Sequence, residues 1–302
     1  MRAVVMGAVE GTRVALRSIA MSPGWTLAGV VTLPPELSNR HSDFVDIGAA
    51  AAEFGSEIIQ AADGNDPAVV KRVQSLLPDV LFVIGWSQIC RLPMLKMGRL
   101  GTIGYHPAPL PRLRGRAPIP WTILLDEPIT AGTLFWIDEG VDTGPILAQH
   151  FFHVAPDETA ATLYSRHMRT LESMLQECLP ALAAGTARRD PQNDSIATWG
   201  TKRTPDDGRI DWTQPAIDVW RLIRAVGKPY PGAFTNDGTS RLVIWEARPE
   251  PGDGHPAALP GQLTARGADW FTVRCGDGAA LRVISFDGNL PKLHAELGGT
   301  GS

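Results

Sequence analysis

The sequence has few cysteines, no long apolar run and no excess of positive charge. Its three cysteines, Cys90, Cys178 and Cys275, are far apart and lack CxxC spacing, so neither a disulfide framework nor a cysteine metal site is predicted. We therefore expect reduced thiols in a cytoplasmic protein. No apolar stretch approaches the roughly 18 residues of a membrane span. No spacing among the seven histidines predicts a metal site.

The charge balance is weakly acidic. Lysine and arginine number 28 against 32 aspartates and glutamates, which gives a net charge of −4. Proteins that grip nucleic acid through its phosphates generally present a basic face, so a nucleic-acid partner is not expected. The 302 residues are enough to bury a large core in about one or two domains. The composition predicts no particular oligomeric state.

Strand and helix patterns alternate through the first half of the chain. Strands are predicted at 2–7, 25–32, 56–60, 79–85 and 101–105, and helices at 12–22, 43–55 and 66–77. A helix at 118–127, strands at 131–138 and 145–154, and a long helix at 157–184 follow. This alternation predicts an α/β domain over residues 1–184, with a parallel sheet and helices on both faces.

The second half differs in texture. Residues 185–207 are polar and rich in turn formers, which predicts a linker. A helix is predicted at 216–226, followed by short strands at 240–247, 261–267, 269–275 and 279–285. Short strands broken by Gly and Asp turns are typical of a small β-barrel. We therefore predict a second domain over residues 208–302.

A rigid loop surrounds His106. The stretch "IGYHPAPLPRLRGRAPIPW" (103–121) holds five prolines, three arginines and no acidic residue. His106 directly follows a predicted strand, at the sheet edge where open α/β folds place their sites. A loop histidine is often structural, but the prolines restrict the backbone before folding, which lowers the entropic cost of holding the imidazole still.

An acidic loop joins the next two strands. "DEGVDTGPI" (138–146) carries Asp138, Glu139 and Asp142. An acidic hairpin loop of this kind is commonly just solvated. However, Gly140 and Gly144 flank Asp142 and permit a sharp turn or a close approach of the backbone to a ligand. A carboxylate beside a histidine orients the imidazole and stabilises its charged form.

These motifs, in this order, resemble the formyltransferases that use 10-formyltetrahydrofolate. The resemblance rests on "GYHPAPLPRLRG", "RAPIPW" and "DTGPI", and then on "DGRIDW" and "RA…PYPGAF" near the start of the second domain. It covers most of the chain. It implies a Rossmann-like N-terminal domain, a C-terminal barrel similar to an OB-fold, and an enzyme with 10-formyltetrahydrofolate as its co-substrate.

The resemblance also implies roles for residues. His106 would lie near the developing oxyanion, and Asp142 would orient and charge it. The segments 84–89 and 136–142 would line the pterin pocket, largely through backbone groups. The residues assigned there are Gly85, Trp86, Ser87, Gln88, Ile89, Ile137, Glu139 and Val141.

One position departs from the family pattern. The family's third catalytic residue is an asparagine, and Gly104 stands in its place. Glycine has no side-chain donor for an oxyanion. We expect a water molecule or a neighbouring side chain to occupy the vacated space in an active enzyme. The alternative is that the space admits a bulkier substrate or acyl donor.

The acceptor amine is predicted from two stretches. "KRTPDDGRIDW" resembles the formyltransferase that acts on a UDP-linked amino-arabinose, which favours an amino-sugar nucleotide. A methionyl-tRNA formyltransferase is expected to carry a basic loop after the second strand, whereas "LPPELSNRHSDFVD" (33–46) has one arginine, one histidine and three acids. An RNA grip needs positive charge. The sequence is also compatible with a natural-product or hydroxyornithine-type amine as the acceptor, and with a non-catalytic folate-binding relative.

Overall fold

A computed structural model describes residues 1–238, 240–251 and 254–298. The chain forms two compact units. The first comprises Met1–Pro118, Pro128–Val154 and Tyr164–Thr201, and the second comprises Ile119–Glu127, Ala155–Leu163 and the chain from Lys202 onward. Within the described residues, every helix is too short or too polar to cross a membrane.

The chain up to residue 201 carries nine strands and six α-helices within the described residues. In order, these are β1 (Arg2–Met6), α1 (Glu10–Ala20), β2 (Thr26–Thr32), α2 (Gly48–Glu53), β3 (Glu57–Gln60), α3 (Pro67–Ser75), β4 (Val80–Val83), α4 (Leu92–Leu95) and β5 (Gly101–His106). There follow β6 (Arg114–Gly115), α5 (Pro118–Leu124), β7 (Ile129–Trp136), β8 (Ile146–His153), α6 (Ala160–Ala184) and β9 (Trp199–Gly200). Short 3-10 helices cover Pro35–Arg40 and Asp194–Ile196.

The main sheet has seven strands in the order β3-β2-β1-β4-β5-β7-β8. The first five run parallel. β7 is antiparallel to β5, and β8 is antiparallel to β7. The connection between β7 and β8 is too short for a parallel crossover, so the two strands form a hairpin. The predicted parallel sheet is therefore confirmed for five strands, and the expected hairpin between β7 and β8 is present. The antiparallel pairing of β7 with β5 was not predicted.

Helices cover both faces of this sheet, as predicted. On one face, Leu16 and Ile19 of α1 pack into a buried cluster with Leu171 and Leu175 of α6. The other face is covered by a second cluster, to which α3 and α4 contribute Val73 and Met94. Apolar residues recurring at helical spacing explain why each helix buries one stripe.

The helix predicted at 43–55 is shorter in the structure. Helix α2 covers Gly48–Glu53. Upstream of it, the Val45 N–H donates to the carbonyl of Ala8 (2.9 Å), and Phe44 forms a bridge with Val9. These bonds to a distant part of the chain commit the backbone of residues 44 and 45 to a non-helical path, so the helix begins later than its local pattern suggests.

The second unit contains a small antiparallel sheet. Its elements are α7 (Ala216–Val226), β10 (Ala233–Asn236), β11 (Arg241–Glu250), β12 (Leu263–Arg266), β13 (Phe271–Arg274) and β14 (Ala280–Asp287), after a 3-10 helix at Pro205–Gly208. The five strands lie in the order β10-β11-β14-β13-β12, and α7 packs against β11. The predicted helix and four strands are present, and β10 was not predicted because its four residues follow a turn without an alternating pattern.

The segment predicted as a linker is structured over most of its length. Residues 185–201 belong to the first unit. Asp190 pairs with Ile146, and β9 pairs in parallel with β6. The domain boundaries predicted at residues 184 and 208 stay a prediction, since compactness alone does not show which parts fold independently.

Candidate active site

His106 is the last residue of β5 and is 5% exposed. In the sheet it pairs with Thr133 of β7. Its Nε2 lies 2.7 Å from the backbone oxygen of Leu113. Because a carbonyl oxygen only accepts hydrogen bonds, Nε2 carries the hydrogen. That bond leaves Nδ1 as the nitrogen able to exchange a proton or contact a reacting group.

The proline-rich loop after β5 is fastened to the sheet. The hydroxyl of Thr133 donates to the carbonyl of Ala108 (2.7 Å). The amide of Gln149 donates to the carbonyl of Leu110 (2.9 Å) and to the Thr133 hydroxyl (2.8 Å). Side chains from β7 and β8 therefore add to the restriction that the prolines impose, and the imidazole is held by both.

Asp142 lies in the loop between β7 and β8 and faces His106. Its Oδ2 is 3.6 Å from Nδ1 of His106 and accepts a hydrogen bond from the Gly115 N–H at 2.7 Å. Asp142 has a φ of +54°, a left-handed conformation that is uncommon for residues other than glycine. A carboxylate at this place stabilises a protonated imidazole through its charge.

The path of this loop depends on glycine. A Cβ at Gly144 would lie 1.7 Å from the carbonyl oxygen of Trp136, so no other residue fits there. Asp138 closes the turn from inside, because its Oδ1 accepts from the Gly140 N–H (3.1 Å) and from the Thr143 hydroxyl (2.7 Å). The close approach that we expected of these glycines is therefore made by the backbone of Gly144 to the carbonyl of Trp136.

Gly104 is enclosed by apolar side chains. A Cβ at this position would lie 2.9 Å from Cε1 of Phe135 and 3.0 Å from Cδ1 and Cγ1 of Ile137. The side chains of Phe135 and Ile137 therefore lie in the direction that a side chain at position 104 would take. Neither neighbour donates a hydrogen bond, so this position supplies no substitute for the family's asparagine.

A second histidine lies behind the site. His167 is fully buried, and the Tyr105 hydroxyl lies 3.0 Å from its Nδ1 and 3.1 Å from its carbonyl oxygen. Burial, with smaller contributions from His106 and Arg166, lowers the pKa of His167 to about 3. His167 is therefore neutral near pH 7 and belongs to the support of β5 rather than to the proton-transfer groups.

The predicted pterin segment at 84–89 leaves the sheet directly beside β5. Val83, the last residue of β4, pairs with Gly104. Gly85 has a φ of +74°, and its carbonyl accepts from the Ala8 N–H (3.1 Å). The side-chain amide of Gln88 donates to the carbonyl of Ala62 (2.7 Å), which links the segment to the loop after β3. The segment is therefore held in place by its neighbours.

Trp86 in this segment carries a free donor. Its indole Nε1 is buried and has no hydrogen-bond partner among the described residues. A buried donor without a partner is costly unless something else accepts from it. The ring is partly exposed and its Nε1 lies beside Gly64, so a flat heteroaromatic ligand such as the pterin expected here would meet the ring and would reach this donor from the Gly64 side.

The remaining predicted pocket residues follow β7. The N–H of Ile137 donates to the carbonyl of Thr102 (2.8 Å), and its side chain closes over Gly104. Glu139 and Val141 are exposed, Val141 at 50%. On the other segment, Ile89 is 74% exposed, and the carbonyl of Ser87 accepts from Arg116 (3.2 Å). Exposed apolar side chains at strand ends fit a surface that a ligand covers.

Several residues around the site were not predicted. The N–H of Gly115 that holds Asp142, and Gln149, which holds the proline-rich loop, carry no local sequence signal. Arg116 lies in "RGRAPIPW" beside Gly115 and brings a cation to the 84–89 segment. Only the spacing of the family motif pointed to this stretch, and it did not assign these contacts.

Two family models match the chain. The model for formyl transferase matches residues 15–179, and the model for the formyl transferase C-terminal domain matches residues 202–289. Among curated proteins, the methionyl-tRNA formyltransferase of Symbiobacterium thermophilum is 34% identical over 284 residues, covering 93% of this chain and 86% of that protein.

Solved structures share the fold. HypX from Aquifex aeolicus, in complex with tetrahydrofolic acid, matches with a TM-score of 0.66 at 20% identity, covering 93% of this chain and 43% of HypX. This chain thus spans less than half the length of HypX. The N-formyltransferase from Helicobacter canadensis, in complex with folinic acid and dTDP-3-aminofucose, matches with a TM-score of 0.65 at 16% identity, covering 93% and 98%.

Proposed function

The chain belongs to the formyl transferase family, and we propose that it formylates the primary amine of a small substrate, most directly an amino-sugar nucleotide. As a family member it is a formyl-transferring enzyme that uses 10-formyltetrahydrofolate. We propose the identity of the acceptor and the roles of individual residues from the contacts described below. A cytoplasmic location, where reduced folates and nucleotides occur, is part of it.

The main support for formyl transfer at this site is the proximity of His106 and Asp142. Transfer forms a bond between the acceptor nitrogen and the formyl carbon and breaks the bond from that carbon to the folate nitrogen. One proton leaves the amine and one is gained by the departing nitrogen, so the site's proton count is unchanged. Between these events the formyl oxygen carries negative charge, and stabilising it is the main catalytic demand.

His106 meets that demand through Nδ1. Since Nε2 is bonded to Leu113, Nδ1 is the nitrogen that faces the reacting groups and can present a hydrogen to the formyl oxygen. The Asp142 carboxylate lies 3.6 Å from the same nitrogen and orients the ring. Because glycine has no side chain and the nearest groups beside Gly104 are apolar, His106 carries the oxyanion without a side-chain donor from that position.

The folate would be held by the two loop segments beside β5. Trp86 contributes its ring and its unpartnered Nε1, and exposed Ile89 and Val141 contribute apolar contact. Backbone groups do the rest. The full proposed set is Gly85, Trp86, Ser87, Gln88 and Ile89 from one segment and Ile137, Glu139 and Val141 from the other.

A small acceptor is supported by the segment that follows β2. Within residues 33–46, the guanidinium of Arg40 donates to the carbonyl of Ala62 (2.7 Å), and Asp43 accepts from the Tyr164 hydroxyl (2.9 Å). Glu36 stands in the first turn of the 3-10 helix. A segment with one arginine and three acidic residues offers no net positive charge to an RNA backbone, whose binding depends on it.

The second candidate is transfer to methionyl-tRNA. It is favoured by the identity to the Symbiobacterium thermophilum enzyme. A natural-product or hydroxyornithine-type amine would need the same catalytic groups and a different acceptor pocket. A non-catalytic folate-binding protein is the last candidate, and Gly104 is the feature that favours it.

An acceptor panel tests the proposal. We expect formylation of an amino-sugar nucleotide by 10-formyltetrahydrofolate, measured as release of tetrahydrofolate, and no formylation of methionyl-tRNA. Salt-sensitive, submicromolar binding of initiator tRNA together with its formylation would overturn the small-acceptor proposal. Folate binding without turnover on any amine would favour a non-catalytic folate-binding protein.

A further inference from the structure

The segment 185–201 passes beside the candidate catalytic loop. Gln192, on this segment, uses every hydrogen-bonding position of its amide. Its Oε1 accepts from Nε (3.1 Å) and Nη2 (2.8 Å) of Arg114. Its Nε2 donates to the carbonyls of Asp142 (2.8 Å) and Gly144 (2.7 Å). An amide has two donors and two acceptor positions, so the side chain is fully engaged between two loops.

Arg114 is buried and firmly held, and it supports this contact. It is 2% exposed and is among the largest fully buried side chains. Its Nη2 also bonds to Oδ1 of Asp194 (2.7 Å), and its backbone N–H donates to the carbonyl of Thr198 (2.9 Å). A buried guanidinium is stable only when its donors are partnered, so Arg114 and Gln192 hold each other in one geometry.

Asp142 is thereby held at both its backbone and its side chain. Gly115, the neighbour of Arg114, donates to the Asp142 carboxylate (2.7 Å), while Gln192 donates to the Asp142 carbonyl. A left-handed conformation in a residue other than glycine persists only where its surroundings enforce it. Asp142 has a φ of +54°, and the hydrogen bond from Gln192 holds the carbonyl of this same residue.

We propose that Gln192, braced by Arg114, is a positioning residue that keeps the Asp142 carboxylate against Nδ1 of His106. The inference rests on the proposed function, because it assigns a purpose to that pair. Without the two donated bonds, the 142–144 backbone is free to leave its left-handed turn. The carboxylate then moves away from the imidazole, and the ring loses its orientation and the negative charge beside Nδ1.

The variant Gln192→Glu isolates this role. Its carboxylate still accepts from Arg114, but it has no N–H to offer and places negative oxygens against two carbonyls. We expect kcat to fall by about tenfold to a hundredfold, as for an ångström-scale misplacement of a catalytic group, with the KM for 10-formyltetrahydrofolate within about threefold. Gln176→Glu, the same substitution at an exposed position of α6, is the matched control and keeps wild-type kcat.

The background of Asp142→Asn separates positioning from general structural support. Asparagine keeps an oxygen for the Gly115 N–H but has no charge to position. If Gln192 acts through Asp142, Gln192→Glu adds little further loss there, because groups that act as a unit are not additive. A full multiplicative loss in that background, or unchanged kcat of the single variant, would overturn the inference.

Two further measurements keep the outcomes distinct. If Gln192→Glu does not fold by thermal melting, Gln192→Asn replaces it with the same expectations, because its uncharged amide is one methylene too short to span from Arg114 to the Asp142 and Gly144 carbonyls. If His106→Ala and Asp142→Asn leave turnover unchanged, the catalytic assignment in the proposed function fails. If both abolish turnover and Gln192 variants do not lower it, only the positioning role fails.

Discussion

A single backbone contact decides how His106 is used. The Leu113 carbonyl accepts a hydrogen bond from Nε2–H, so the tautomer and the ring orientation are set before a ligand arrives. Preorganised donors stabilise developing charge without reorganisation during the reaction. The Pro-rich loop therefore has a defined physical purpose in the proposal, which is to keep Leu113 and His106 in register.

The His106–Asp142 pair predicts a specific pattern of losses. His106→Ala should lower kcat by roughly 100- to 1,000-fold, the usual cost of one oxyanion donor, and Asp142→Asn should produce a similar loss because the imidazole loses its counter-charge. The double variant should be no slower than the slower single variant. Steady-state kinetics measures this, with 5-formyltetrahydrofolate calorimetry as the control for retained binding. Losses that multiply would show independent roles.

The close packing around Gly104 leads to a prediction about stability. Gly104→Asn must displace Phe135 and Ile137, and overpacking a filled core costs about 1–3 kcal/mol of unfolding free energy. We expect a lower melting temperature and no gain in kcat. Ile137→Ala, combined with Gly104→Asn, should recover part of the stability by removing the obstructing side chain. Full stability of the single variant would show that the enclosure is looser than the contacts indicate.

The elements that meet at the site are loops at strand ends. β4 and β5 bring the 84–89 segment beside His106, and the β7–β8 hairpin returns Asp142 to the same place. Catalytic groups on loops held by a rigid scaffold combine access with precision. In this protein the rigidity comes from side-chain bonds between loops, such as those of Gln149 and Gln88, as much as from the sheet.

The 84–89 segment predicts a measurable contribution to folate affinity. Trp86→Phe keeps an aromatic ring but removes the unpartnered indole donor. If the folate accepts from that donor, its Kd should rise by about two- to tenfold, the value of one hydrogen bond, while kcat stays within about twofold. Calorimetry with 5-formyltetrahydrofolate measures the change. Trp25→Phe, in the same unit but within the core, is the control, and equal affinities for wild type and Trp86→Phe would contradict the contact.

At the scale of the whole molecule, a buried neutral histidine couples stability to pH. The pKa of His167 falls from 6.5 to about 3 on folding, so the unfolded chain binds a proton that the folded chain does not. Its contribution to the unfolding free energy is complete above about pH 6.5 and is lost progressively as the pH falls towards 3. We expect the melting temperature to decline across that range.

The variant His167→Leu should flatten that decline. Leucine fits an apolar surrounding that includes Phe152, and Tyr105 keeps the backbone carbonyl at position 167 as a partner. Thermal melts between pH 4 and pH 7 measure the slope. The exposed residue His153 supplies the control, since His153→Leu should retain the wild-type slope. A slope unchanged in the His167 variant would mean that other groups dominate the acid response.

Local pattern determined much of this protein. Helix α7 has the bounds predicted from its periodicity, and the apolar runs of β1, β2 and β4 lie within their predicted ranges, because hydrophobic periodicity is a property of consecutive residues. The candidate residues His106 and Asp142 followed from their chemistry and from the family motif. Their catalytic roles stay a prediction, while their proximity is a feature of the structure.

Contacts between distant residues decided the rest. The Val45–Ala8 bond shortened α2, β7 paired antiparallel with β5, and Phe135 with Ile137 filled the space beside Gly104. Gln192 lay in a stretch whose composition predicted a linker, yet it joins Arg114 to the Asp142 loop. None of these pairings leaves a local signal, because composition and periodicity describe neighbours along the chain, whereas a loop's place is set by the distant groups that satisfy its hydrogen bonds.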